Sequence, residues 1–522
     1  MAKQVKIKRK VPATYKQMAF ETAVRNPERY KGILTAISPY INKKLDDETL
    51  LQVVSSMYLN GIVSSEGVEI NENSTIESIS TSVIFVNSTR KADGGFPEGY
   101  QSRFWTYVRT LSEMGFVLAQ YEQPLQFSQV ALQLINNGID EQEAFSLQAM
   151  KYNRKSPYRN VSNDFNYFKF ILEVLKQRER ISYEQFIVSM FSKDGNVAEF
   201  LNIIDENTFG DSSEVETFLR EKYGTNLKAQ TILRDYPDVV LRLLVITGFV
   251  SIQFRGKVFI YRNITNDDYI NDLLSVNVEL TNEEKENPNL HFAKLETYNK
   301  PLLDIVFTYR AEAIETDGFE YVEKISEVIK LYELNEEKIV ESINQIGTSR
   351  NVVPAFKYIA EPLKLEFYLS LILALKYGNE LAVRPNYKTD YIGLPISHAP
   401  GNSGDIEVYS KKLYWLIEVT LIRNKTQQLN SETTSVIRHL LEDNKINKYL
   451  SKYLSFVAPV IHQDTKNYFD YSVVQNKIKE QKLYLKPYSI SEFIDTTLTK
   501  QNFVDMEIYT NEVIEDFRRN LL

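Results

Sequence analysis

Two carboxylates interrupt the alternating runs of "GDIEVYSKKLYWLIEVTLI": Asp405 and Glu418 stand where a strand ordinarily carries Val or Thr. If Lys411 and Lys412 make the turn between the runs, Asp405 falls directly opposite Glu418, on one face and roughly 5 Å apart at Cβ. Carboxylates that close repel unless one is protonated or a cation lies between them. An unpaired Glu inside an apolar strand is also costly. A divalent ion resolves both problems, and hard oxygen donors suit Mg²⁺. The competing reading is a partly exposed hairpin whose acids face water or pair with Lys. Downstream, "NSETTSVIRHLLEDNKI" starts a helix capped by Asn430 or Ser431. Glu432 and His439 are seven apart and share one face of it, so a further acid and an imidazole can converge on the hairpin for proton transfer or a phosphate contact.

These residues need a scaffold. "PAFKYIAEPLKLEFYLSLILALKYG" reads as an amphipathic-to-buried helix leading into the hairpin. Glu366 on it is expected to face the surface, with an outer ligand role as the alternative. His398 and His462 fit turn, core or supporting roles equally well. Upstream, one phrase recurs: "MYLNGIVSS", "LSEMGFVLA" and "LLVITGFVSI" each end a helical pattern in Gly followed by an apolar pair. Gly61, Gly115 and Gly248 can take the left-handed conformation that stops a helix, with a strand starting at once. The phrases are either three ordinary helix C-caps or three winged-helix-like modules, each a helix followed by a hairpin wing. The third fits best, because "FVSIQFRGKVFIYRN" alternates about a turn with a basic tip, Arg255 and Lys257.

Other candidate DNA contacts cluster around the second phrase. Arg90 and Lys91 precede a Gly- and Pro-rich loop, and Gln101, Arg103 and Arg109 lie near or on the helix after it. The first turn of such a helix can enter a major groove, where Arg pairs with guanine and Gln with adenine. "KYNRKSPYRN" reads as an exposed basic loop offering Arg154, Lys155 and Arg159 to phosphates.

The totals bound these readings. A chain of 522 residues, 43% apolar and 25% charged, implies two or three globular domains. The absence of Cys excludes disulfides, cysteine-ligated zinc and thiol catalysis, and four His make an all-histidine metal site improbable. A net charge of −8 argues against simple coating of nucleic acid, although the first ten residues carry five Lys and Arg and no acid. No apolar run can span a bilayer and the N-terminus has no signal-peptide core, so an intracellular, cytoplasmic protein without a membrane partner is expected. The polar stretch near 281–300 looks like a boundary, and the Glu- and Lys-rich helical patterns after it look like a connector.

The order "G-x-P…HAPG…DIE…EVTL…Q…E…RHL" resembles the AlwI-type family of type IIS restriction endonucleases, which includes site-specific nicking enzymes. The resemblance covers roughly 350–465, including "FVAPVIHQDT", and extends more weakly to "RNPERYKGIL" and "ADGGFPEGYQSRF". It implies a multidomain α+β protein. Residues 1–285 would form a helical DNA-recognition region with winged-helix-like modules, 286–345 a helical linker, and 346–522 an α/β PD-(D/E)XK nuclease domain with a mixed central sheet. It also implies Mg²⁺-dependent cleavage at a fixed offset outside a short asymmetric site in double-stranded DNA. Asp405, Glu418, Glu432 and His439 match the catalytic positions, and the Val419 carbonyl would join Asp405 and Glu418 as a metal ligand. One departure stands out: Thr420 occupies the position of the usual Lys. His439 is the expected substitute, with Arg438 and Gln428 behind it. A single such domain cuts one strand, so double-strand cleavage would need a second nuclease domain, from a homodimer on DNA or a small subunit. The competing functions are a non-catalytic winged-helix regulator and a PD-(D/E)XK nuclease of transposition or repair.

Overall fold

The computed structural model describes residues 20–521, apart from 72, 89–98, 160, 225–227, 313–318, 349, 399–403, 424, 426–427, 429–450 and 479–482. Its contacts divide the chain into two units, residues 1–57 with 80–311, and residues 58–79 with 312–522. The stretch expected to be a linker is shared between them: residues 286–311 group with the first unit and 312–345 with the second. Among the described residues no helix is long and apolar enough to cross a membrane.

Helix α1 (Asp47–Leu59) begins in the first unit and ends at Gly61, within the stretch that groups with the second, and α2 (Gly99–Glu113) of the first unit ends at Gly115. Both glycines have positive φ, the conformation the recurring phrase requires. After Gly115 a short antiparallel pair forms, β1 (Val117–Leu118) with β2 (Gln126–Phe127). After Gly61 the expected strand is missing, and residues 62–71 run through turns. The sequence "SSEGVEINEN" explains why, since its apolar residues are too few and too irregular to bury a strand face. Then come α3 (Glu141–Lys151), α4 (Tyr167–Gln177), β3 (Arg180–Ser182), α5 (Tyr183–Ser189) and α6 (Tyr236–Ile246). Gly248 stops α6, and the hairpin β4 (Val250–Arg255) and β5 (Lys257–Arg262) follows, turning at Gly256. Strand β3 joins it to give the order β3-β5-β4.

The second unit is organised by helix α7 (Glu361–Tyr377) and a mixed five-stranded sheet. Its strands in chain order are β6 (Ala382–Pro385), β9 (Ile406–Tyr409), β10 (Leu413–Val419), β11 (Ser451–Ala458) and β12 (Leu483–Ser489), and the separate hairpin β7 (Lys388–Thr389) and β8 (Pro395–Ser397) lies between β6 and β9 in sequence. The sheet order is β12-β11-β10-β9-β6, with β10, β11 and β12 parallel and β9 antiparallel to both neighbours. Strand alternation sorts the side chains. Trp415, Ile417, Ile406, Val408 and Val457 join the larger core with α7 and α9 (Ile490–Leu498). Tyr414, Leu416, Leu454 and Phe456 join the smaller core, to which α8 (Gln463–Ile478) contributes Phe469 and Val473. Helix α10 (Asn502–Leu521) packs on α8 and β12. Each fully buried aromatic or aliphatic side chain contributes about 1.5–3 kcal/mol, so both faces of β10 are strongly anchored and its register is firm.

Candidate active site

The β9–β10 ladder pairs Tyr409 with Tyr414, Val408 with Trp415, Glu407 with Leu416 and Ile406 with Ile417. The next pair outward is Asp405 and Glu418, as the alternation about Lys411 and Lys412 predicts. Glu418 follows Tyr414 and Leu416 onto the face of the smaller core and is 8% exposed. Asp405 lies just beyond the strand and is held there at two points. Its carboxylate Oδ2 accepts the Val419 N–H at 2.7 Å, and its carbonyl accepts the Asn386 N–H at 2.9 Å. The Asn386 side-chain amide then donates to the Gly404 carbonyl at 2.7 Å. Gly404 itself makes room for the second acid. A Cβ on it would lie 2.9 Å from Glu418 Oε1 and 2.2 Å from Leu416 Cδ1. Neither Asn386 nor Gly404 carries a chemistry-bearing pattern in the sequence. The signal for Gly404 was its place immediately before a strand-borne Asp, where close backbone approach calls for glycine.

This donor set fits a hard divalent ion: two carboxylates from adjacent strands, beside a cradle that any larger residue would fill. Among the described residues no group of three or more metal-ligating side chains is found. Glu432, His439 and Arg438 lie outside the described residues. The residues around them that are described have structural partners. Thr420 donates its N–H to the Val457 carbonyl at 2.9 Å, and its hydroxyl accepts the Ile422 N–H at 3.2 Å. Gln428 is fully buried, donates to the Val460 carbonyl at 2.9 Å and accepts from Thr465 Oγ1 at 2.8 Å. The His462 ring meets the Arg423 carbonyl at 2.9 Å.

Glu366 corrects an expectation. It does not face the surface: it is 3% exposed, and its Oε1 lies 2.6 Å from His398 Nδ1. The signal was available, because the helix is apolar on nearly every side and a Glu there has no solvent face to occupy.

In the first unit, several residues singled out for DNA turn inward. Gln101 is buried, and its amide donates to Asp47 at the start of α1. The described stretch 151–159 is not an exposed loop, since Lys151, Tyr152, Arg154 and Ser156 are all buried. The Arg154 guanidinium lies 4.6 Å from the Phe20 ring centroid and is flanked by Tyr152 and Tyr167. Arg159 binds the buried Glu113 and lies 3.9 Å from Glu21, which also takes Arg109 at 3.2 Å. Burial raises the Glu113 carboxyl above its ordinary range, and Arg159 draws it back. Lys155 and Arg103 are half-buried at the surface, Arg103 over the Tyr107 ring at 5.6 Å. At the hairpin tip Arg255 is exposed, its guanidinium 3.1 Å from Gln253 Oε1, and Lys257 lies 3.7 Å from Glu184. Arg90 and Lys91 lie outside the described residues.

The family model of the AlwI restriction endonuclease matches residues 112–361 and 348–496. No curated protein matches the chain. Among solved structures, the small subunit of the heterodimeric restriction endonuclease R.BspD6I is similar over 36% of this chain and 90% of its own, at 21% identity and a TM-score of 0.26. The BpuJ1 endonuclease binding domain, solved with pyrene- and phenanthrene-modified DNA, is similar over 54% of this chain and 96% of its own, at 11% identity and a TM-score of 0.30.

Proposed function

The chain belongs to the AlwI restriction endonuclease family, and from that premise we propose that it is a type IIS enzyme whose second unit hydrolyses DNA at a fixed offset from a short asymmetric site bound by the first. The observation that carries the proposal is the β9–β10 register, which puts Asp405 beside Glu418 at the end of a mixed sheet. In this reading the second unit is a PD-(D/E)XK domain. Asp405, Glu418 and the Val419 carbonyl would hold Mg²⁺, which when bound would lower the pKa of water and offset charge on the phosphate. Glu432 and His439 belong to the same site on the strength of the family resemblance. The Val419 N–H keeps the Asp405 carboxylate turned toward β10, and Gly404 lets the Glu418 carboxylate lie close against the backbone. Hydrolysis joins a water oxygen to phosphorus, breaks the bond to the 3′ oxygen and leaves a 5′-phosphate.

Support for a recognition role comes from α4, β3, α5, α6 and the β4–β5 hairpin, a winged-helix-like order with two further helices, Val197–Glu206 and Ser212–Tyr223, inserted between α5 and α6. The second and third Gly phrases each lead into a hairpin. Arg103, Arg109, Lys155, Arg255 and Lys257 are the described basic candidates that reach the surface there. One site of this kind cuts one strand, so the enzyme nicks alone and cuts both strands with a second nuclease domain, either another copy or a small subunit.

Incubation with plasmid and Mg²⁺, followed by run-off sequencing, tests this reading. Cuts at one offset from one short sequence are expected. Scattered or structure-directed cuts would point to a transposition or repair nuclease, and intact DNA with every divalent ion to a regulator without catalysis.

A further inference from the structure

A buried carboxylate, Glu366, and a half-buried imidazole, His398, form a pair that the reading above does not use. Three contacts place the pair at the same end of the sheet as the acids. Asn386, bonded to Asp405 and Gly404, immediately follows β6. Its neighbour Tyr387 packs its ring 6.3 Å from that of Phe367, the residue after Glu366. Two residues beyond Asn386, Lys388 pairs with Ser397, and His398 is next in the chain. Helix α7 therefore reaches this sheet end from the larger-core face, while Glu418 lies on the other face. A phosphate bound at the end of the sheet would meet groups from both.

The pair also has the internal geometry of an oriented imidazole. Glu366 Oε1 sits 2.6 Å from Nδ1, close enough for a charge-assisted bond, and Nε2 lies on the opposite side of the ring. The carboxylate is 3% exposed, whereas the His398 side chain is 31% exposed. So the orienting group is buried and the oriented one reaches solvent. Glu366 Oε2 is buried with no hydrogen-bond partner among the described residues, an arrangement that costs stability and calls for a role. Thr420, at the usual lysine position, carries no charge and has its hydroxyl engaged by Ile422.

We propose that His398, oriented by Glu366, supplies at the scissile phosphate the cationic hydrogen bond that a lysine at position 420 would supply. His398 is then a catalytic residue and Glu366 a positioning residue. The protonated ring donates through Nε2 to a non-bridging phosphate oxygen and keeps its proton, so no net transfer occurs. This rests on the nuclease reading, and the experiment separates the two.

On a duplex carrying the mapped site, single-turnover cleavage, DNA binding and melting temperature are measured for His398→Ala, Glu366→Gln and Glu418→Ala. His398→Ala is expected to slow cleavage ~100-fold with DNA affinity and melting temperature held. Free imidazole, or the added change Thr420→Lys, is expected to recover ~10-fold or more of that loss. Glu366→Gln is expected to slow cleavage ~10-fold, since it loosens the ring without removing it. Cleavage by His398→Ala within about threefold of the parent, while Glu418→Ala is inactive, overturns the proposal and leaves the nuclease site standing. A slow variant that neither imidazole nor Thr420→Lys recovers overturns it as well. Full activity of Glu418→Ala overturns the site itself and this proposal with it.

Discussion

Glu113 and Glu418 are both buried glutamates at the ends of regular elements, yet they belong to opposite designs. Glu113 closes α2 in the first unit and is neutralised at once by Arg159, with Arg109 and Glu21 extending the network. Glu418 stands one residue before the end of β10, next to a second acid and over a glycine cradle. The first arrangement is complete within the protein and fastens the fold. The second sets two acids side by side, and in the proposed reading a divalent ion completes it. Charge type and burial are shared by the two sites; an arginine is paired to Glu113, whereas the strand register sets a carboxylate beside Glu418.

The sharpest way to break that contrast is at Glu418. Glu418→Gln keeps the shape and removes the charge, so cleavage is expected to fall on the order of 10⁴-fold, about 5.5 kcal/mol of barrier. Binding to the recognition site should persist, and in metal-free buffer the melting temperature should hold or rise, because one of two repelling carboxylates is gone. A marked drop in melting temperature would mean that Glu418 is a structural acid like Glu113.

The converse change is Arg159→Met, which leaves Glu113 buried without its cation. Breaking such a pair costs about 3–5 kcal/mol, read by urea unfolding of the first unit's transition. A cost under about 1 kcal/mol would show that water reaches Glu113 and that the two glutamates differ less than their surroundings suggest.

How far these sites were legible in the sequence follows from the range of the forces behind them. The pairing of Asp405 with Glu418 is a local matter: a short turn and strict alternation fix the register, and a slip of one residue would put Trp415 and Ile417 on the wrong face. The hairpin tip at Gly256 was legible for the same reason. Gln101 and Arg154 were not, because what buries them comes from far along the chain. Asp47 lies 54 residues before Gln101, and the rings around Arg154 include Phe20. A basic, Tyr-containing run looks the same in sequence whether its guanidinium faces a phosphate or an aromatic cage. Glu366 was legible and misread, since an acid in an all-round apolar helix must be buried.

Lys151 sharpens the comparison from the side of stability. It is buried at the end of α3, its ammonium bonded to the neutral Asn299 amide, and burial lowers its pKa to about 7. Between pH 7 and its unfolded value near 10.4 the unfolded chain binds the extra proton, so this lysine's contribution to stability rises with pH. At and below pH 7 the full penalty of charging it is present. Lys151→Met should therefore stabilise the protein by about 2–3 kcal/mol at pH 7, and by progressively less toward pH 10, in urea titrations at the two pH values. A gain independent of pH would assign the effect to packing.

The smallest effect concerns what remains exposed. Arg255 at the tip of the β4–β5 hairpin is the described arginine of the candidate set left most open to solvent there, and in the proposed wing it meets a DNA phosphate. Arg255→Ala should weaken binding by about 1 kcal/mol for every sequence alike and reduce the slope of log affinity against log salt by about 1. Arg154→Met, in its aromatic cage, should leave that slope unchanged and act on melting temperature instead. Fluorescence anisotropy across a salt series reads both variants. The two results together decide whether the basic residues of the first unit divide into fold and contact as the structure places them, and a slope lost with Arg154 but kept without Arg255 would reverse that division.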